Sequence, residues 1–515
     1  MKTILAYDLG TGGNKASLYS EEGACLDSVF VPYATFYPES GWHEQRPTDW
    51  WKAVVESTRR LLASDKASPE SIECLAVSGH SLGCVPMDGS GVVLRDRTPI
   101  WSDKRPADQA AAFFEKIDPD EWYLRTGNGF PAPHYTVFKA MWYRDCEPDL
   151  FEAIDTIIGT KDYINYRLTG RVATDFSYAS GCGAYNLGDW AYDEELMEAS
   201  GLSRELFPEI VPATEILGPL TQDAAADLGL PRTIKVACGG VDNSCMALGA
   251  RNISEGRVYA SLGSSAWIAV CSAKPLLDRH AKPYVFTHVI PGMFTSAVAI
   301  FSSGSSFRWV RDNFCPDLVA AAEADGTDVY ELMTELAQQS PAGARGLLFN
   351  PSMAGGSSLD ASPQMRGALL GLDLGHTRHD VIRAAMEGIA LNMRIVLDEL
   401  RALCPVADEM VAVGGSSRSR LWRGIFADAL NIRIAKTNIG QQAGSLGAAA
   451  VAAVGAGLWT DFSTIDTIHQ VNDMSEPNAE NRFVYESLLP VFRQAAEAQA
   501  QLGDALHALR REGDS

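Results

Sequence analysis

Short apolar runs separated by small polar turns open the chain. Thr3–Asp8 and Lys15–Tyr19 flank a glycine-rich turn, Glu21-Glu22-Gly23 makes the next turn, and Cys25–Val31 follows, which predicts a β-meander. The period then changes. Pro47-Thr48-Asp49 are helix-start residues, and Trp50–Leu62 carries apolar positions at helical spacing. Ile72–Val77 reads as a buried strand that empties into Ser78-Gly79-His80-Ser81-Leu82-Gly83, and ligands commonly bind at the carboxyl ends of such strands.

Pro and Gly recur between Ile210 and Pro231, which reads as a connector. Beyond it the opening pattern restarts with the strand Ile234–Cys238, the turn Gly239-Gly240-Val241-Asp242-Asn243 and a short helix. A second meander follows over Arg257–Leu262, Ala266–Cys271 and Met293–Ile300, a structural echo without a sequence repeat. His379–Arg401 places Ile382, Ala385, Met386, Ile389, Met393, Val396 and Leu400 on one helical face. Val411–Val413 predicts a short strand running into Gly414-Gly415-Ser416-Ser417, with a helix starting near Ser419. Gly444–Ala450 is a helix of small residues whose backbone something flat could approach closely. The tail from Phe483 to Ala508 is helical apart from Pro490, and the last residues are expected to fray.

A chain of 515 residues exceeds one core and implies two large domains. No apolar run reaches the roughly 20 residues of a membrane span, and the N-terminus meets Asp8 too early for a signal peptide, so the cytoplasm is the expected location. The net charge of −22 argues against nucleic acid as a partner. It also repels anionic substrates, so any site for an anion must build its own positive field. The ten cysteines are scattered, with neither a Cys-x-x-Cys pair nor zinc spacing, and Cys74, Cys84 and Cys238 read as small core residues.

Asp8-Leu-Gly-Thr11-Gly12-Gly13-Asn-Lys15 puts an acid at the end of a buried strand, next to small turn residues. Its backbone N–H groups suit an anion and its carboxylate suits a cation held through water. Ser261-Leu262-Gly263-Ser264-Ser265 repeats that chemistry in the second half, so the pair suggests a nucleoside triphosphate held between two related domains. Asp242 follows two glycines and reads equally as a general base or as a cap on the next helix.

Together these motifs resemble the FGGY carbohydrate kinases, xylulokinase-like members in particular. The likeness runs from Asp8-Leu-Gly-Thr-Gly-Gly through Gly239–Asn243 to Gly414-Gly415-Ser-Ser-Arg418-Ser-Arg-Leu-Trp422. It includes Gly367-Ala-Leu-Leu-Gly371-Leu372, then Asp380-Val381 and Ala384-Ala385-Met386-Glu387. The resemblance implies an α/β fold of two ribonuclease-H-like domains, as in actin and hexokinase, flanking a nucleotide cleft. The expected halves are 1–243, on the sugar side, and 244–515, on the nucleotide side. It also implies transfer of the ATP γ-phosphoryl to a sugar hydroxyl, with Asp242 as catalytic base. Asp8, through water, and Asp242 would hold Mg²⁺. Thr11, Gly12, Gly13 and Lys15 would meet the terminal phosphates, with Gly263, Ser264 and Ser265 as the matching loop. Gly304, Gly414, Gly415 and Ser416 would line the nucleotide, walled by the helix around Ala443 and Gly447.

His80, Ser81, Leu82, Trp101, Asp103, Asp242 and Asn243 are the implied sugar contacts. Xylulokinases typically show Gln-Met-His-Gly where this chain reads His80-Ser81-Leu82-Gly83, so the imidazole stands two positions early. Trp42-His43-Glu44-Gln45, Glu387 and Trp422 are read as structural. A ketopentose such as D-xylulose leads as substrate, with another ketose, a polyol or the quorum-sensing furanone precursor as alternatives and a homodimer as the assembly common among relatives. A non-catalytic actin-like sugar sensor is the reading from another class. A chaperone-type ATPase would need a peptide-binding domain for which the chain has no room.

Overall fold

The computed structural model of the chain describes residues 2–64, 66 and 68–513. Its first half runs through β1 (Thr3–Gly10), β2 (Gly13–Ser20), β3 (Cys25–Pro32), α1 (Pro47–Leu62) and β4 (Ile72–Gly79). There follow α2 (Thr136–Cys146), α3 (Thr160–Thr169), β5 (Ile216–Pro219), α4 (Gln222–Leu228), β6 (Lys235–Ala237), β7 (Gly240–Val241) and α5 (Asp242–Gly249). The second half contributes β8 (Val258–Leu262), β9 (Ala266–Ser272), β10 (Phe294–Ile300), α6 (Gly304–Phe314) and α7 (Arg378–Leu403). It continues with β11 (Glu409–Val413), α8 (Arg420–Leu430), β12 (Arg433–Thr437), α9 (Ala443–Ala456), β13 (Val471–Ser475) and α10 (Ala479–Gly513).

These elements form two compact units that interleave along the sequence. One comprises Met1–Glu255, Cys271–Ser296 and Gln442–His469, and the other Gly256–Val270, Ala297–Gln441 and Gln470–Ser515.

In the first unit the strand order is β5-β6-β4-β1-β2-β3, with β7 also on β4. β1 pairs antiparallel with β2 and parallel with β4, and β6 and β7 run parallel to β4. Gly10 faces Gly13 across the ladder, so the predicted glycine turn is a two-residue hairpin, Thr11-Gly12. Trp50, Val54 and Leu61 of α1 bury against Leu5, Tyr7, Leu18 and Val77 of the sheet. α9 and α5 pack together, and α9 also lies on β1 and β4. That helix pair is unusually close: a Cβ on Gly249 would sit 1.9 Å from the Ala443 carbonyl oxygen, and one on Gly447 would sit 1.8 Å from that of Cys245. The small residues of α9 therefore admit α5, which is what approaches their backbone.

The second unit repeats the pattern along β10-β9-β8-β11-β12-β13. β8 pairs antiparallel with β9 and parallel with β11, β12 runs parallel to β11, and β13 closes antiparallel on β12. α7 buries Ile382, Met386, Ile389, Met393 and Leu400, as its periodicity predicts.

Two expectations change. The stretch read as a connector contains β5 and α4, because Thr221 caps α4 through its hydroxyl and Gly229 ends it in the left-handed region. α10 continues without interruption through Pro490. Asp514 and Ser515, the end of the tail expected to fray, lie outside the described residues. Among the described residues no helix is long and apolar enough to cross a membrane.

Candidate functional site

The first unit gathers two carboxyls at strand ends. Asp8 lies near the end of β1 and accepts a hydrogen bond of 3.0 Å from the Ser78 hydroxyl at the end of β4. A Cβ on Gly444, in the first turn of α9, would come within 2.7 Å of Asp8 Oδ2, so a larger residue there would displace the carboxyl. Burial raises the Asp8 carboxyl above its usual range, opposed by Lys15, its partner across the β1–β2 ladder, and by Ser78. Burial also pushes Asp242 up to about 7, and the negative charge of Asp8 adds to the rise.

Asp242 is partly exposed and opens α5, where its carboxylate accepts the Asn243 N–H at 2.8 Å. The helix cap position itself is Val241, which has no capping side chain. Asp242 therefore stands in the first turn, where a negative charge is favoured, and retains exposure for a ligand.

A buried ionic scaffold carries the turn before Asp242. Lys161 of α3 pairs with Asp162 at 2.6 Å and Asp175 at 3.1 Å, and it donates to the Cys238 carbonyl together with Asn165. Ser177 donates to Asp175 and accepts from the Val241 N–H. Gly239 is obligatory: its φ is +75°, and a Cβ would lie 2.0 Å from the Val77 carbonyl oxygen.

The expected phosphate turn divides by role. Gly12 is exposed with open space around it, whereas a Cβ on Gly13 would strike Phe30 and Val31 at 2.5 Å. Gly13 thus serves close packing of β3. The Thr11 hydroxyl accepts the Trp101 indole N–H at 2.9 Å, and the Thr11 carbonyl accepts from Gln45 at 2.7 Å. Gln45 in turn accepts from Trp50, which accounts for the Trp42–Gln45 stretch as scaffold.

The sugar-side residues do not all reach a surface. Asp103 has no exposed area, and its two oxygens accept from Arg105 and from the His43 N–H. Arg105 also pairs with Glu44 at 2.8 Å, so Asp103 belongs to a buried ion-pair cluster. His80 is 1% exposed; burial lowers it to about 4, which keeps the ring neutral, and Thr160 is its neighbour at 3.3 Å. Leu82 is buried at a positive φ of 60°, and Ser81 is also buried. Trp101 and Asn243 remain partly exposed.

Below these segments lies Lys139, whose ammonium donates to the carbonyls of Leu82, Ile100 and His134 at 2.8, 2.8 and 2.7 Å. Burial lowers it to about 8, while the negative Asp103 supports its charge.

The second unit assembles the three loops expected around the nucleotide. The N–H groups of Gly304 and of Ser303 and Ser305 donate to the carbonyls of Gly263 and Ser264 at 2.9–3.0 Å. A Cβ on Gly304 would sit 2.5 Å from the Gly263 carbonyl oxygen, and Gly414, at φ +96°, lies as close to that of Leu262. Gly263, Ser264 and Gly415 are exposed, and Ser265 and Ser416 partly so. Arg308, one turn into α6, reaches Ser264 Oγ at 3.5 Å.

Residues 3–249 match the N-terminal domain of the FGGY family of carbohydrate kinases, and residues 258–456 match its C-terminal domain. The chain belongs to the FGGY family. A xylulose kinase of Bacillus subtilis is 27% identical over 518 residues, covering 99% of this chain and all of the relative. A gluconokinase of Bacillus licheniformis is 27% identical over 497 residues, covering 96% of each. Among solved structures, the xylulose kinase from Rhodospirillum rubrum superposes with a TM-score of 0.87 at 28% identity, over 98% of this chain and 100% of that one.

The two sheets are accordingly those of the actin- and hexokinase-like ATPase fold, and the chain is an ATP-dependent carbohydrate kinase. Sequence reasoning missed Ser78, Lys139 and Arg308. Ser78 stood in the singled-out loop, and its place beside Asp8 follows from parallel pairing of β1 and β4. Arg308 follows four residues after Gly304, one helical turn on. Lys139 carries no local signal, since a lysine in an apolar helix is ordinarily solvated. Glu387 and Trp422 pack as expected: Glu387 pairs with Arg383 at 2.6 Å, and Trp422 donates to the Met386 carbonyl.

Proposed function

We propose that this carbohydrate kinase phosphorylates a ketopentose such as D-xylulose by direct in-line transfer, with Asp242 as general base. The observation that carries the reading is Asp242 itself: a partly exposed carboxyl at the start of α5, raised to about 7 beside Asp8. An alcohol is a weak nucleophile at neutral pH, and a carboxylate poised near that pH can accept its proton as the oxygen–phosphorus bond forms. The bond from the γ-phosphorus to the bridging oxygen breaks, and ADP departs with that oxygen.

The expected halves 1–243 and 244–515 give way to the two interleaved units, the first supplying the sugar side and the second the nucleotide side. Trp101 and Asn243 offer the sugar an aromatic face and an amide, while the buried His80, Ser81, Leu82 and Asp103 shape the segments beneath. Thr11, Gly12 and Lys15 face the terminal phosphates, with Gly13 supporting the turn. Gly263, Ser264 and Ser265 form the second phosphate loop, and Gly304, Gly414, Gly415 and Ser416 take the rest of the nucleotide. Asp8, through water, and Asp242 would hold Mg²⁺. An all-oxygen donor set suits a hard cation, and two carboxyls raised by burial mark a place where positive charge is stabilising. The ion would neutralise phosphate charge. A cytoplasmic homodimer completes the proposal.

The equal identity of the gluconokinase relative favours one second reading, a sugar-acid acceptor. An ADP-release assay across pentuloses, hexuloses, polyols and gluconate tests both. The highest kcat/KM on D-xylulose supports the proposal, a preference for gluconate replaces the substrate, and ATP turnover indifferent to every acceptor overturns sugar transfer.

A further inference from the structure

The Lys139 ammonium has three protons and donates to three carbonyls from three separate segments, those of Leu82, Ile100 and His134. The residue has no exposed area. A buried ammonium is costly to desolvate, and the cost is recovered only when its donors are all used. The segments it joins are those that the sugar reading depends on: the His80–Gly83 loop, the residue before Trp101, and the turn leading into α2.

The connection continues outward. His134, kept neutral by burial, donates through Nδ1 to the Trp101 carbonyl at 2.9 Å. The Trp101 indole N–H then reaches Thr11 Oγ1 at 2.9 Å. An indole N–H only donates, so Thr11 must accept it, and its own hydroxyl proton remains directed elsewhere. Lys139 thus stands at the root of a hydrogen-bonded chain that ends at the β1–β2 turn.

We propose that Lys139 is a positioning residue for this kinase: it holds the three sugar-side segments together and, through His134 and Trp101, sets the orientation of the Thr11 hydroxyl. The proposal rests on the reading that these segments carry the sugar. Lys139 touches no substrate in this role; it acts through the carbonyls it binds.

The test combines amide hydrogen exchange with steady-state kinetics on the full-length protein, using D-xylulose and ATP as probes. In the wild type, D-xylulose should slow exchange in 80–83, 99–102 and 132–136. Lys139→Met should loosen all three segments together and raise the KM for D-xylulose at least about tenfold, equivalent to about 1.4 kcal/mol, with the KM for ATP within about twofold. Trp101→Phe keeps an aromatic face, though a smaller one, and removes the indole N–H, so it remains informative if Lys139→Met fails to fold. It should lower kcat at saturating D-xylulose about tenfold, whatever it does to the sugar KM.

No slowing by D-xylulose in the wild type overturns the sugar-side reading on which the proposal stands. Slowing in the wild type together with an unaltered sugar KM in a folded Lys139→Met overturns the proposal alone. An unaltered kcat in Trp101→Phe overturns the link to Thr11.

Discussion

The two units build the same strand order and arm it differently. In the first, the hairpin after β1 sits beside Asp8, and β7 delivers Asp242, so the strand ends present two carboxyls raised by burial. In the second, the turn after β8 presents Gly263, Ser264 and Ser265, and the end of β11 presents Gly414 and Gly415, with Arg308 as the charged neighbour. A shared topology therefore fixes where a loop emerges from the sheet, and residue choice at the tip fixes its chemistry. In the proposed reading the first unit takes a proton and a cation, and the second presents backbone and hydroxyl groups to an anion.

The largest test of that division is Asp242→Asn. It should lower kcat by about 10³ or more if the carboxylate is the base, while the Kd for ATP stays within about threefold; near-normal turnover would remove Asp242 from the chemistry. Gly304→Ala probes the other unit. Its new Cβ would meet the Gly263 carbonyl oxygen, so the KM for ATP should rise on the order of tenfold with the sugar KM unchanged, and equal damage to both constants would break the comparison.

The pH profile sharpens it further. The base must be ionised, so kcat/KM should fall as pH drops through about 7. Asp8 is one of the causes that raise Asp242, so Asp8→Asn should move that inflection to lower pH, whatever it does to the maximal rate. An inflection that stays in place would mean the two carboxyls are not coupled.

The smallest effect is on stability. Below pH 3.8 Asp242 is protonated both folded and unfolded. Between 3.8 and about 7 the folded protein holds the extra proton, so stability falls as pH rises across that window. Asp242→Asn should accordingly raise the Tm at pH 8 by on the order of 2 °C, a gain that disappears near pH 4. A constant gain at every pH would assign it to something other than the charge.

Elements whose signal is local were legible in the sequence. The meanders over β1–β3 and β8–β9, the stripe on α7 and the turn into α5 all follow from spacing and turn residues. What depends on distant partners was not. Nothing near Asp103 shows that the distant His43 N–H takes one of its oxygens or that Glu44 joins its pair with Arg105, and nothing in His80-Ser81-Leu82 shows that the chain buries them. Glycines misled for the same reason. Gly13, Gly447 and Gly304 all read as ligand-facing, yet each also answers to a backbone or ring packed against it from far along the chain. Lys139 was invisible because its three acceptors come from three separate segments, two of them 57 and 39 residues earlier in the sequence.

The interleaving of the units also bears on synthesis. α9 covers one face of the sheet around β1 and β4, but it is translated only after Gly256–Val270 and Ala297–Gln441 of the second unit. At about 5–20 residues per second, the N-terminal sheet waits on the order of ten seconds or more on the ribosome with that apolar face bare. An apolar face bare for that long would favour chaperone binding before the first unit can close. A chain ending before Gln442 would carry the same exposed face permanently, and aggregation would be its fate in the cell.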